Sequence, residues 1–134
     1  MTLIDTNVLL DLATDDARWA DWSIQQLEAA ATRGPLLVNE ISYAELSVRF
    51  TRIEAVDRFL DGGGFTLAPT PRAALFLAGK VFQHYRQRDG TRTGVLPDFL
   101  IGAYAAVEQV PLLTREVGRY RTYFPTVVLI VPGA

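Results

Sequence analysis

Along the chain, short apolar runs bounded by polar or turn-forming residues alternate with longer stretches in which apolar residues recur every three or four positions. The short runs read as buried strands and the longer stretches as amphipathic helices. Thr2-Leu3-Ile4 is the first strand, broken by Asp5-Thr6-Asn7, three residues that cap helices well. A short helix follows over 8–12. Asp15-Asp16 can cap the next helix, over about 17–33, with Ala20, Ile24, Leu27 and Ala31 in one stripe, and Gly34-Pro35 stops it. Leu36-Leu37-Val38 is the second strand, and Asn39 can cap a helix over about 40–50. A further helix over about 52–61 ends at Gly62-Gly63-Gly64, and Phe65-Thr66-Leu67 is the third strand. Pro69 and Pro71 bracket a turn into a long helix over about 72–88, with Ala74, Leu77, Ala78, Val81 and Tyr85 on one side, followed by a polar loop over 89–94. Pro97 suits the first turn of a helix that runs to about Gln109, and its Gly102, Ala103, Ala105 and Ala106 permit close packing on a sheet. Residues 110–114 and 126–131 are the fourth and fifth strands.

Strands alternating with helices predict an α/β fold with a central, largely parallel five-stranded sheet flanked by helices. The 134 residues fit one domain, 1–134, without internal repeat or linker. A domain of this size buries roughly two thirds of its unfolded surface, enough for a core. The composition, 49 % hydrophobic and 21 % charged, is that of a folded chain and not a disordered one.

The absence of cysteine excludes disulfides and thiolate metal sites and permits a reducing compartment. No segment reaches the roughly 18 apolar residues of a membrane span, and no basic region with an apolar core opens the chain, so the expected location is the cytoplasm, with no membrane partner. The net charge of −2 gives no bulk attraction for nucleic acid. Of the 13 basic residues 12 are Arg, whose planar fork matches phosphate, although GC-rich coding explains such a bias equally well.

In an open α/β sheet, ligands bind beyond the carboxyl ends of the strands. Asp5 follows the first strand directly, and Glu116 lies two residues after the fourth. These two face one crevice if the strands are neighbours. Asp98 opens the helix leading into the fourth strand, and Glu45 lies mid-helix after the second. Each has a structural alternative. Asp5 serves as a cap, Asp98 as a favourable charge at a helix start, Glu45 as a partner of Arg49 one turn on, and Glu116 as a solvated acid. Glu45 also adjoins an apolar stripe of Ile41, Ala44 and Val48, an awkward place for an unpaired carboxylate. As a set the four say more. Two carboxylates about 4–5 Å apart repel by roughly 3–4 kcal/mol at an effective dielectric of 20. A hard divalent cation removes that conflict, and an all-oxygen ligand set favours Mg²⁺ or Mn²⁺ over zinc. Such ions also bind phosphate, which suits phosphodiester hydrolysis.

Leu3-Ile4-Asp5-Thr6-Asn7, Ile41-Ser42-Tyr43-Ala44-Glu45-Leu46, Leu96-Pro97-Asp98-Phe99-Leu100-Ile101-Gly102-Ala103, Leu113-Thr114-Arg115-Glu116 and the stretch from Arg119 to Pro125 occur in that order across nearly the whole chain. Together they resemble a PIN-domain ribonuclease, specifically a VapC-type toxin of a type II toxin–antitoxin pair. The resemblance implies a single PIN-like domain and a metal-dependent endoribonuclease cutting RNA of the tRNA or rRNA class. Asp5, Glu45, Asp98 and Glu116 would be the catalytic metal ligands for Mg²⁺ or Mn²⁺. Thr6 and Asn7 would shape the pocket floor, and Thr114 would hydrogen-bond an acid or water. The implied partners are a cognate antitoxin, the RNA substrate and a second copy of the chain in a homodimer. The family most often has Asp where this chain has Glu116, and the extra methylene loosens the geometry expected there.

Other features invite weaker readings. His84, the single histidine, reads as a surface or packing residue, which excludes a site built on paired histidines. Gly79-Lys80 ends like a phosphate loop, but Ala74 and Val81 stand where that motif needs Gly and Ser or Thr. Trp19, Trp22, Phe50 and Phe59 read as core or as a groove for a partner. Arg86, Arg88 and Arg92 read as solvated loop or as contacts to an RNA backbone. The alternative function is a catalytically weak PIN-like or receiver-like binding or regulatory module. A receiver needs an Asp ending its third strand and a Lys after its fifth; here Leu67 ends the third strand and Lys80 sits inside a helix. A phosphatase with an aspartyl nucleophile needs a second Asp where this chain has Asn7.

Overall fold

The computed structural model describes residues 1–88, 90–92 and 94–133. Its elements run β1 (Thr2–Ile4), α1 (Thr6–Ala13), α2 (Ala20–Ala31), β2 (Leu36–Val38), α3 (Glu40–Ser47), α4 (Ile53–Gly62), β3 (Phe65–Leu67), α5 (Arg72–Gln87), α6 (Leu96–Glu108), β4 (Leu112–Leu113), α7 (Gly118–Tyr123) and β5 (Leu129–Ile130). The five strands form one sheet in the order β3-β2-β1-β4-β5, and every pair is parallel. Strand order therefore reverses at β1, which pairs with β2 on one side and β4 on the other. That reversal leaves a crevice beyond the carboxyl ends of β1 and β4.

The sheet is apolar on both faces because its strands alternate sides residue by residue. Leu3, Leu37 and Leu112 join one core with Ala74 and Ala78 of α5, Phe99 and Ile101 of α6, and Tyr120 of α7. Ile4, Leu36, Val38 and Leu113 join the other, with Val8 and Leu9 of α1, Leu27 of α2, Leu46 of α3 and Val56 of α4. Gly102 lets α6 lie close over Phe124, since a Cβ at that position would stand 2.5 Å from a Phe124 ring carbon.

Several boundaries differ from expectation. The α1 helix begins at Thr6, not Val8, because Asp5 takes the N-cap position and accepts from the Thr6 N–H at 2.7 Å. Asp16 Oδ1 accepts from the N–H groups of both Arg18 and Trp19, which uses three residues as a turn and delays α2 to Ala20. The buried face of α2 is Ala20, Ser23, Leu27 and Ala30, while Ile24 and Ala31 point to water. Ser23 turns inward because its hydroxyl satisfies the buried carboxylate of Asp11 at 2.8 Å. In α3, Ala44 and Val48 are exposed, so the stripe expected beside Glu45 is not an apolar surface that packs. Strands β4 and β5 are shorter than expected, and the six-residue helix α7 was not anticipated. The polar loop expected over 89–94 lies partly outside the described residues. Among the described residues, no helix is long and apolar enough to cross a membrane.

Candidate active site

Asp5 emerges from the central strand at the point where strand order reverses. Its side chain is only 3 % exposed yet fully engaged. Oδ1 accepts from the Thr6 N–H, and Oδ2 accepts from the hydroxyls of Thr114 at 2.7 Å and Tyr120 at 2.9 Å. The Asn7 amide also donates toward Oδ2, at 3.4 Å. Thr114 directly follows β4, so a side chain from each of the two adjacent strand ends meets at this carboxylate. Thr114 Oγ1 accepts in turn from the Asn7 amide at 3.3 Å and the Glu116 N–H at 2.9 Å.

Burial pushes the Asp5 carboxyl up from 3.8 to about 6. The bonds from Thr114, Tyr120 and Thr6 work against that rise, and the negative charge of Asp98 adds to it. Burial also raises the Asp98 carboxyl; Arg119 opposes this and Glu116 reinforces it. The Tyr120 hydroxyl is pushed well up, first by burial and then by the charge of Asp5, with Asp98 and Glu45 adding. It is thus a firm donor to Asp5.

The other expected acids stand around this group, each with a donor of its own. Asp98, in the first turn of α6, pairs with the guanidinium of Arg119. Glu116 Oε1 accepts from the Arg119 N–H at 3.2 Å, so Arg119 serves both acids. Glu45 Oε1 accepts from the Thr6 hydroxyl at 2.6 Å, and among the described residues it forms no ion pair with Arg49, the structural alternative for this acid. The Ser42 hydroxyl, buried one turn before Glu45, lies 3.0 Å from the Thr6 oxygen, which can accept from it. Among the described residues, no three acidic or histidine side chains converge as a ready-made metal cage.

The donor set nevertheless suits a hard cation. It is all oxygen, it includes a buried carboxylate raised in part by a neighbouring acid, and the charge on Asp98 is already met by a cationic side chain. Asp5 and Asp98, with Glu45 and Glu116 at the margin, are the residues that would hold such an ion, and Arg119 would have to release Asp98 for it.

Three contributors escaped the sequence reading. Arg119 and Tyr120 were noted only as part of a terminal stretch, because a single helical turn carries too little periodicity to reveal which side chain points inward. Asp11 is 2 % exposed and takes a bidentate contact from Arg115, both bonds at 2.9 Å. The Arg115 guanidinium also lies 5.0 Å from the Trp19 ring centre, and its N–H donates to Asn7 at 3.3 Å. This lock fixes the segment that carries Thr114 and Glu116. The four-residue spacing from Asn7 to Asp11 along one helical face was the available signal.

A family match described as PIN domain extends over residues 2–124. The chain belongs to the PIN-domain family. Solved structures carry the same fold. VapBC2 from Rickettsia felis, solved with a DNA fragment from its promoter, matches at a TM-score of 0.76 and 18 % identity, covering 98 % of both chains. A toxin–antitoxin complex from Klebsiella pneumoniae matches at a TM-score of 0.68 and 24 % identity, covering 96 % of both. FitAcB from Neisseria gonorrhoeae matches at 0.64 and 16 %, also covering 96 % of both. No curated protein matches the chain in sequence. The receiver-like alternative has no support in this PIN domain: β3 is an edge strand ending in exposed Leu67, and Lys80 lies within α5.

Proposed function

We propose that this PIN domain is the toxin of a type II toxin–antitoxin pair of the VapC type, a cytoplasmic endoribonuclease dependent on Mg²⁺ or Mn²⁺. The observation that carries the reading is Asp5: a carboxylate buried at the strand-order reversal, braced by Thr114 and Tyr120, with a second acid near enough to raise it. Burial of the carboxylate in a crevice, beside a second acid, marks a group poised to meet a cation. Asp5, Asp98, Glu45 and Glu116 would hold the ion. When bound, the ion supplies positive charge against a phosphodiester and makes a water acidic enough to attack.

The chain's own residues then have assigned tasks. Thr114, Tyr120 and the Thr6 N–H hold Asp5 in one orientation, so that it costs no reorganisation as charge develops. Thr6 does the same for Glu45. Arg119, freed from Asp98, would neutralise a phosphate oxygen. The substrate would be RNA of the tRNA or rRNA class. The silencing partner would be a cognate antitoxin, for which the cavity of about 230 Å³ lined by Tyr43, Phe50, Ile53 and Val56 is a fitting seat. Phe50 lines that cavity and, like Trp22 and Phe59, also packs on the core. A homodimer is the expected assembly.

The test is cleavage of tRNA and ribosomal RNA by purified protein with Mn²⁺ or Mg²⁺. Activity abolished both by EDTA and by Asp5→Asn is the expected result. Undiminished cleavage in EDTA refutes the metal reading, and an inert wild type under all conditions refutes the nuclease.

A further inference from the structure

Outside the acid centre, one cavity is lined by side chains of a single charge sign. It measures about 330 Å³ and is bounded by Lys80, Val81, His84 and Arg88 of α5 and its C-cap, and by Thr122 and Tyr123 of α7. Lys80, His84 and Arg88 are spaced four residues apart, so they form one stripe along the helix. All three are exposed, and the ion pairs found among the described residues involve none of them. The helix dipole favours cations near a C-terminus, which accounts for Arg88. That effect fades within about one turn, so it does not account for Lys80, two turns further back. Tyr123 forms a rigid aromatic wall: its ring centre lies 5.1 Å from Phe99 and 5.9 Å from Tyr85. Cations beside a fixed aromatic ring are the usual means of holding a single nucleic-acid strand.

The position of this cavity matters as much as its charge. Thr122 lies one turn beyond Arg119 on the same face of α7, about 4.5 Å along the axis. The Tyr123 ring packs at a tilt against Phe99, the neighbour of Asp98 in α6. The basic stripe thus adjoins the acid centre through α7.

We infer that the Lys80–His84–Arg88 cavity is a phosphate-binding subsite that grips the RNA backbone beside the scissile phosphodiester. The inference rests on the ribonuclease reading above and extends it to substrate positioning. Of the three arginines considered as alternative RNA-backbone contacts, Arg86, Arg88 and Arg92, it keeps Arg88 and joins it to Lys80 and His84.

The experiment compares two double variants of the full chain, Lys80→Gln/Arg88→Gln and Arg33→Gln/Arg58→Gln. Each removes two exposed cations, the second pair from sites elsewhere on the fold. Binding of a labelled single-stranded RNA is followed by anisotropy in EDTA across a salt series, and cleavage kinetics are measured with Mn²⁺. Each lost phosphate contact flattens the slope of log K against log salt by about 0.7 for a single strand. The first variant is expected to lose about 0.7 to 1.4 of slope and to raise KM with kcat little changed, while the second retains wild-type values. Equal slopes in the two variants overturn the subsite. So does a first variant that binds RNA normally but loses the antitoxin, which assigns the stripe to an acidic protein segment. A wild type that cuts RNA with KM untouched in the first variant sinks the subsite alone; a wild type that neither binds nor cuts RNA sinks the ribonuclease reading with it.

Discussion

Replacing Asp5 by Asn in the metal-free protein isolates what the buried carboxylate costs the fold. Its carboxyl sits at about 6 in the native state against 3.8 when solvated. Between those limits the folded chain holds a proton that the unfolded chain releases, so stability falls as pH rises through the window. Below both values the group is neutral in either state and costs nothing of this kind. Above both, the cost is complete. At about 1.4 kcal/mol for each pH unit between 3.8 and about 6, it comes to about 3 kcal/mol. Asparagine cannot ionise, so the cost disappears. It brings a fixed penalty of its own, because its amide would face the Thr114 and Tyr120 hydroxyls, which now donate to Asp5. That penalty does not vary with pH in this range. The quantity to read is therefore the stability difference between the two proteins as a function of pH. Urea unfolding in EDTA, followed by circular dichroism, gives it directly. The variant is expected to gain about 3 kcal/mol relative to wild type between about pH 4 and about pH 8. A difference that stays flat across the window refutes the buried-anion account of Asp5. A difference of opposite sign means that hydrogen bonding outweighs burial at this carboxylate.

Two further outcomes follow from the pairing around it. Arg119→Ala removes the cation that competes for Asp98 while keeping the main-chain N–H that serves Glu116, so Mn²⁺ should bind several-fold more tightly by calorimetry, about 1 kcal/mol for a partly exposed pair; weaker binding refutes the competition. Asp11→Ala strips Arg115 of its bidentate partner and Ser23 of its acceptor. It should cost about 3 kcal/mol in urea unfolding, near the lower limit for a broken buried pair because Arg115 keeps 26 % of its surface in water, and a loss under about 1 kcal/mol denies the lock its role.

What was legible in the sequence follows the range over which each signal acts. The strands at Thr2–Ile4, Leu36–Val38 and Phe65–Leu67 were readable residue for residue, because a three-residue apolar or β-branched run between turn-forming or polar breakers leaves few alternatives; β1 and β2 are buried throughout, whereas β3 at the sheet edge buries only Phe65. The long helix α5 was legible from its repeating stripe, with Ala74 and Ala78 buried as expected. The α2 face was misread by one position, since a polar residue, Ser23, holds an inward place. Periodicity scores hydrophobicity and cannot register a serine buried to satisfy an aspartate. The same limit hid the Asp11–Arg115 lock and the Arg119–Asp98 pair, which join residues far apart in sequence.

Asp5 was legible for a different reason: a polar break immediately after a central strand is already a position in space once the sheet is parallel. The strand order 3-2-1-4-5 converts that position into a site, because only at β1 do neighbouring helices leave on opposite faces and open a crevice. Thr114 falls in the same crevice by the same rule, as the residue after the adjacent strand. Tyr120, which completes the grip on Asp5, obeys no such rule; it arrives from a one-turn helix whose place is set by packing. The acids at strand ends are thus fixed by topology, whereas the groups that tune them are fixed by tertiary contacts. The sequence therefore points to where the candidate site lies, while Arg119 and Tyr120, which oppose the upward pull of burial on Asp98 and Asp5, emerge only when the chain is folded.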